Sequence, residues 1–145
     1  MLFSPASRLT LKNTWIKICG ITRAQDALSA ADLGADAIGL NFYPQSPRAL
    51  SVADLGNLVE GLSRRVSVVA LFVNPKPELV RQVLGTGAID LLQFHGSESP
   101  EFCEQFETPY IKVVAVKVNS DLKSEFAKYE SAQYMLLDSF DPIML

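Results

Sequence analysis

The sequence predicts an α/β fold, an incomplete (β/α)8 TIM barrel of about six parallel strands and five helices. Three observations point there. Short apolar runs alternate with segments of helical periodicity from Trp15 onward. The runs begin at intervals of roughly 20–30 residues, the length of a strand–helix unit joined to the next parallel strand. Polar side chains collect near the C-terminal ends of the runs. An open sheet covered by helices on both faces, the alternative doubly wound arrangement, accommodates them poorly; a barrel gathers its site at that rim.

The apolar runs are WIKIC (15–19), DAIGLNF (36–42), VSVVALFV (66–73), DLLQFH (90–95), YIKVVAV (110–116) and YMLLD (134–138). Their lengths and their Val, Ile and Leu content suit buried parallel strands. Alternation then assigns faces: Ile16 and Ile18 oppose Lys17 and Cys19, and Leu92 and Phe94 oppose Gln93 and His95. Asp138 stands at the end of the last run.

The intervening segments read as helices with definable starts. Thr22 and Gln25 have capping-box spacing, Ala24, Ala27, Leu28 and Ala31 share a face, and Gly34 closes the segment. Ser51 caps a second helix, in which Leu55, Leu58, Val59 and Leu62 follow i, i+3, i+4, i+7 spacing. Asn74–Pro75 opens a third, lined by Leu79, Val80, Val83 and Leu84 and ending near Gly85 and Gly87. Ser99–Pro100 opens a fourth with Phe102, Cys103 and Phe106 inward. Ser120 caps a fifth, lined by Leu122, Phe126 and Tyr129.

Residues 1–14 read as a flexible N-terminal extension and residues 15–145 as the partial barrel domain. A complete barrel takes eight units and typically about 200–250 residues. A chain of 145 residues with six runs therefore predicts a barrel lacking its last strands and helices, with the first and sixth strands as open edges.

Thirteen Lys and Arg against sixteen Asp and Glu give a net charge of −3. No basic tract marks a nucleic-acid ligand. The most apolar stretch, Val66 to Val73, is too short to span a bilayer. Cys19 and Cys103 do not form a disulfide framework, so a reducing, cytoplasmic setting is expected. The first fourteen residues carry Arg8, Lys12, several hydroxyls and no acid, which leaves a plastid transit peptide as the weaker alternative to a loose tail. The GTG at Gly85–Gly87 follows a helix and precedes a strand, the wrong order for a phosphate cradle.

KICGIT (Lys17–Thr22), GADAIGLNFYPQSPR (Gly34–Arg48), ALFVN (Ala70–Asn74), LLQFHG (Leu91–Gly96) and LLD (Leu136–Asp138) occur in that order, each at or just beyond the end of a run. Together they resemble the phosphoribosylanthranilate isomerase family over about residues 15–142. The resemblance implies an Amadori rearrangement of N-(5′-phosphoribosyl)anthranilate, an aminoaldose, to an aminoketose in tryptophan biosynthesis. It implies no cofactor and no metal, because the substrate's own nitrogen is the electron sink. The expected partner is the small-molecule substrate, and oligomeric state is left open.

Residue by residue, the resemblance makes Cys19 the general base and Asp138 the general acid. A thiol accepts a proton only as thiolate, and Lys17 puts a positive charge on the same strand face. An acid must remain protonated until it donates. Arg48 matches the residue that grips the anthranilate carboxylate, a two-pronged match for guanidinium. Gln93 and His95 match the pocket-lining QxHG motif, with a supporting role. Cys103, on a helix between Phe102 and Phe106, is expected to be inert core, and Asp141 a capping or solvated carboxylate. The family's phosphate grip, which follows strands seven and eight, has no counterpart in these 145 residues, so activity of this chain alone is doubtful. Two other readings stand beside this one: a catalytically silent half-barrel needing a complementary C-terminal piece, and another phosphosugar (β/α)-barrel enzyme, such as an epimerase or indole-glycerol-phosphate synthase.

Overall fold

A computed structural model describes residues 14–62 and 66–139. The expected N-terminal extension, apart from Thr14, and Asp141 lie outside the described residues. Among the described residues, six strands form one parallel sheet in sequential order: β1 (Lys17–Cys19), β2 (Ala37–Asn41), β3 (Ser67–Phe72), β4 (Leu91–Phe94), β5 (Tyr110–Val116) and β6 (Tyr134–Ser139). The helices between them are α1 (Ala24–Asp32), α2 (Leu55–Val59), α3 (Pro77–Leu84), α4 (Pro100–Glu104) and α5 (Leu122–Lys128). A sheet whose order equals its sequence order is the topology of an incomplete (β/α)8 barrel.

The sheet curls. Trp15, just before β1, and Tyr134, which opens β6, stack their rings with centroids 5.5 Å apart. Five strand spacings laid flat would separate those strands by about 24 Å. Both residues lie two positions before inward-facing neighbours, so the stack sits inside the curl at the N-terminal end of the strands.

The two faces of the sheet carry different cores. Between sheet and helices lies the larger one, in which Ile38, Leu40, Phe72, Leu92 and Phe94 meet Val80, Val83 and Cys103, all fully buried. Inside the curl a smaller cluster joins Ala37, Val69, Leu91 and Ile111, with Leu136 against it. Two aspartates repeat one device at the base of the sheet. Asp36 accepts the Ile16 N–H at 2.7 Å and Asp90 the Val68 N–H at 2.8 Å, each binding the strand before its own.

Several helix starts differ from the sequence expectation. The expected capping box at Thr22 is replaced by Arg23 as the residue before α1, with no side-chain cap bond; its guanidinium instead pairs with Asp26 at 2.7 Å. Gly34 closes α1 as expected, at φ +90°, where a side chain would be strained. Ser51 does start its segment. Its N–H and hydroxyl both donate to Asp54 at 2.7 Å, but the chain first makes a 3₁₀ turn, Val52–Asp54, before α2. Helix α3 opens at Pro77 rather than at Asn74–Pro75, because Asn74 adopts φ +45° and serves the neighbouring loop instead. Ser99 caps α4 as read, accepting from the Phe102 N–H at 3.2 Å. Helix α5 is capped by Asp121, not Ser120; the Ser120 hydroxyl accepts from the Lys117 N–H at 2.8 Å instead. No residue of α5 is buried, so Phe126 is exposed rather than inward. Among the described residues, no helix is long and apolar enough to cross a membrane.

Candidate active site

The chemistry-bearing side chains named from the sequence gather at the C-terminal ends of the strands, on the inner face. Cys19 ends β1, and its partner in register on β2 is Gly39. A Cβ added to Gly39 would lie 2.7 Å from the Cys19 sulfur and 3.1 Å from Lys17 Nζ. The thiol and the ammonium therefore both lean over Gly39, on the side of the sheet that bears Ala37. A glycine within a strand often marks such a close approach. Asp138 lies two residues beyond Leu136, which packs on the same inner cluster. The thiol and the carboxyl thus occupy one face, at the same ends of the two edge strands.

His95 follows β4 and meets Asp138 across the mouth, with 3.2 Å between Nε2 and Oδ2. Gln93, one turn of the pleat deeper, is 2% exposed, and among the described residues its Oε1 has no hydrogen-bond partner. An orphaned buried acceptor on the inner face is a polar group waiting for a donor.

Arg48 belongs to the rim. Its Nη1 donates to the Cys19 carbonyl at 3.0 Å, and its guanidinium lies against Gly20, where any side chain would collide with it. Gly20 has φ +84°, so only glycine suits both the turn and the contact. The loop that carries Arg48 is held from β2. Asn41, 8% exposed, donates to the Ser46 hydroxyl at 3.0 Å and accepts from the Tyr43 N–H at 2.8 Å. The Ser46 hydroxyl in turn accepts from the Arg48 N–H at 3.1 Å. Sequence reasoning passed over Asn41 and Gly39, although both interrupt an otherwise apolar strand.

Cys103 is a contrast. It is fully buried in α4, and burial pushes its thiol up to about 12. That leaves it a small apolar filler with no acid–base use near neutrality. Among the described residues, no group of three or more His, Cys, Asp or Glu is arranged to hold a metal.

The family model described as N-(5'phosphoribosyl)anthranilate (PRA) isomerase matches residues 16–141. The isomerase of that name from Neisseria gonorrhoeae is 47% identical over 126 residues, covering 87% of this chain and 61% of the relative. The one from Nitrosococcus oceani is 49% identical, covering 88% and 62%. The crystal structure of phosphoribosyl anthranilate isomerase from Thermotoga maritima superposes with a TM-score of 0.81 at 35% identity, over 90% of this chain and 63% of that one. A second structure, a phosphoribosyl anthranilate isomerase in complex with reduced 1-(o-carboxyphenylamino)-1-deoxyribulose 5-phosphate, gives 0.79 at 36% identity, covering 89% and 66%. The chain spans about three-fifths of the length of the curated relatives it matches.

Proposed function

This chain belongs to the N-(5'-phosphoribosyl)anthranilate isomerase family, and from that premise we propose that it supplies the catalytic pair for the rearrangement of N-(5′-phosphoribosyl)anthranilate. Asp138 donates a proton to the ribose ring oxygen as the bond from that oxygen to C1′ breaks, and the substrate nitrogen becomes an iminium. Cys19, as thiolate, takes the proton from C2′, and the C2′–H electron pair flows toward nitrogen to give an enolamine. Proton gain at C1′ and loss from the C2′ hydroxyl complete the aminoketose. Arg48 grips the anthranilate carboxylate at the rim, and Gln93 and His95 line the pocket, His95 beside the acid. The sugar nitrogen takes the electron pair, so the chemistry asks for no cofactor.

The observation that carries this reading is the shared face of the Cys19 thiol and the Asp138 carboxyl, at the same ends of the two edge strands. Two groups of different chemistry on one face, at the same rim of the sheet, suit an acid–base isomerisation. The relatives named above are bacterial, which lends no support to a plastid setting. Two free cysteines fit the proposed cytoplasmic one.

Loss of anthranilate fluorescence tests the proposal. The assay compares the 145-residue polypeptide with the same chain extended by the segment that the curated relatives carry beyond the match. The extended protein is expected to turn over, and Cys19→Ala and Asp138→Asn to lower kcat by about 10²–10⁴ each. The short polypeptide is expected to be slower by orders of magnitude, since binding energy at a remote phosphate helps position the reacting sugar. Full turnover in either variant rejects the assigned roles. An inactive short polypeptide beside an active extended one fits the half-barrel that needs a C-terminal piece, and an inactive extended protein rejects the isomerase reading.

A further inference from the structure

Beneath the mouth of the curl lies a buried ion pair that the proposed reaction does not use. Glu98 follows β4, and Lys112 sits on β5 with its side chain on the helix side. Carboxylate and ammonium are 2.9 Å apart, with side chains 2% and 4% exposed. The rest of their hydrogen bonding goes to the chain around His95. Glu98 Oε1 accepts from the Gly96 N–H at 3.2 Å and from the Asn74 N–H at 2.7 Å. Lys112 Nζ donates to the Gly96 carbonyl at 2.6 Å and the Phe94 carbonyl at 3.4 Å.

The surroundings tighten the same knot. Asn74 Oδ1 accepts from the Ser97 N–H and hydroxyl at 2.8 and 3.1 Å. A Cβ on Gly96 would lie 2.5 Å from that oxygen. Tyr129 of the α5 end donates its hydroxyl to the Glu98 carbonyl at 2.8 Å and lays its ring 5.5 Å from the ammonium. The residues on both sides of His95 are thereby pinned, while its own N–H donates to the Phe72 carbonyl at 2.9 Å.

Stability alone explains such a pair poorly. Two buried charges lose hydration that their attraction barely restores, and apolar residues of the same volume often do as well. What the pair adds is direction, because four backbone groups from the ends of two strands and the following loop converge on it. We infer that Glu98 and Lys112 are positioning residues that aim the His95 imidazole at Asp138. The catalytic consequence rests on the isomerase reading; the geometric part does not.

The chain has one histidine, so its imidazole resonances in the 145-residue protein need no assignment. In the wild type, with Nε2 3.2 Å from the Asp138 carboxylate, an NOE between the ring protons and the Asp138 Hβ protons is expected. The double variant Glu98→Leu/Lys112→Met removes both charges together and leaves no buried ion unpaired. It is expected to lose that NOE and to move the ring signals toward those of Asp138→Asn, with core methyl shifts unchanged. Should the double variant unfold, Glu98→Gln keeps the side-chain shape and is read by the same spectrum. Wild-type ring signals and an intact NOE in the folded variant overturn the inference. In the extended protein, the double variant is expected to lower kcat about ten- to a hundredfold with little change in KM, and to add nothing in a His95→Ala background. Multiplying losses in that background overturn it too. A wild-type protein without turnover rejects the isomerase reading and the catalytic half of this inference, while the imidazole spectrum judges the geometric half separately.

Discussion

Phe94 and Leu137 both lie on the helix side of the sheet, on β4 and β6, yet one is sealed and the other bare. Phe94 is completely buried, with the rings of Phe72, Phe102, Phe106 and Tyr110 within 6.3 Å of its own. Leu137 is 50% exposed, and Ile18 on β1 is 43% exposed. The strands between have neighbours on both sides and helices across one face; among the described residues, β1 and β6 have one strand neighbour each. Stability is therefore concentrated in the middle of the sheet, and the proposed catalytic pair is mounted on its two edges. The proposed catalytic pair and the bulk of the core thus lie on different strands, which makes them separable by mutation.

The two cysteines give this contrast its largest expected effect. Cys19 is exposed on an edge strand and Cys103 is buried behind the central ones. A thiol moved from 9.0 to about 12 has its thiolate fraction cut roughly a thousandfold, before the barrier to access is added. Under native conditions, iodoacetamide is expected to label Cys19 and to leave Cys103 unlabelled until urea unfolds the chain, with the sites read by peptide mass. Equal labelling of both would mean that the packing of α4 on β4 opens readily, and the division between centre and edge would dissolve.

The next effect is a loss of stability. Phe94→Ala removes the ring at the centre of the aromatic cluster and is expected to cost about 3–5 kcal/mol, read from urea unfolding. A cost below about 1 kcal/mol would place the stabilising core elsewhere. The same variant should shift Asp138 little before the chain unfolds, since the aromatic cluster lies on the opposite face from the site.

The alternation of faces was legible in the sequence because period two is a strong constraint in a strand. Leu92 and Phe94 against Gln93 and His95 is read without any knowledge of neighbours. The strand order followed from the repeated unit, and Ser99–Pro100 announced α4 because a hydroxyl cap followed by proline at the first helical position suits a helix start. The failures have different causes. Thr22, Asn74 and Ser120 were read as local caps, but Ser120 accepts from the Lys117 N–H three residues back, and Asn74 is engaged by Ser97 from 23 residues away, which a local rule does not see. The Glu98–Lys112 pair escaped notice for the same reason. Its one local sign was a lone charge in the middle of the apolar run YIKVVAV. Phe126 was assigned inward on helical spacing, but spacing says which residues share a face and not whether anything covers it.

The smallest expected effect is the most direct probe of the edges. Ile18→Thr and Leu137→Thr keep a β-branched or strand-compatible side chain on the same face, so strand propensity changes little. In the 145-residue chain, with both positions about half exposed, neither replacement removes a filled core site, and each is expected to move the unfolding free energy by less than about 0.5 kcal/mol. The comparison with Phe94→Ala then spans nearly the whole range of single-substitution effects within one face of one sheet. If either threonine variant costs more than about 2 kcal/mol, that edge is covered in solution, by another segment or by a second copy of the chain. Repeating the measurement at tenfold different protein concentrations separates the two, because only a second copy makes the cost depend on concentration.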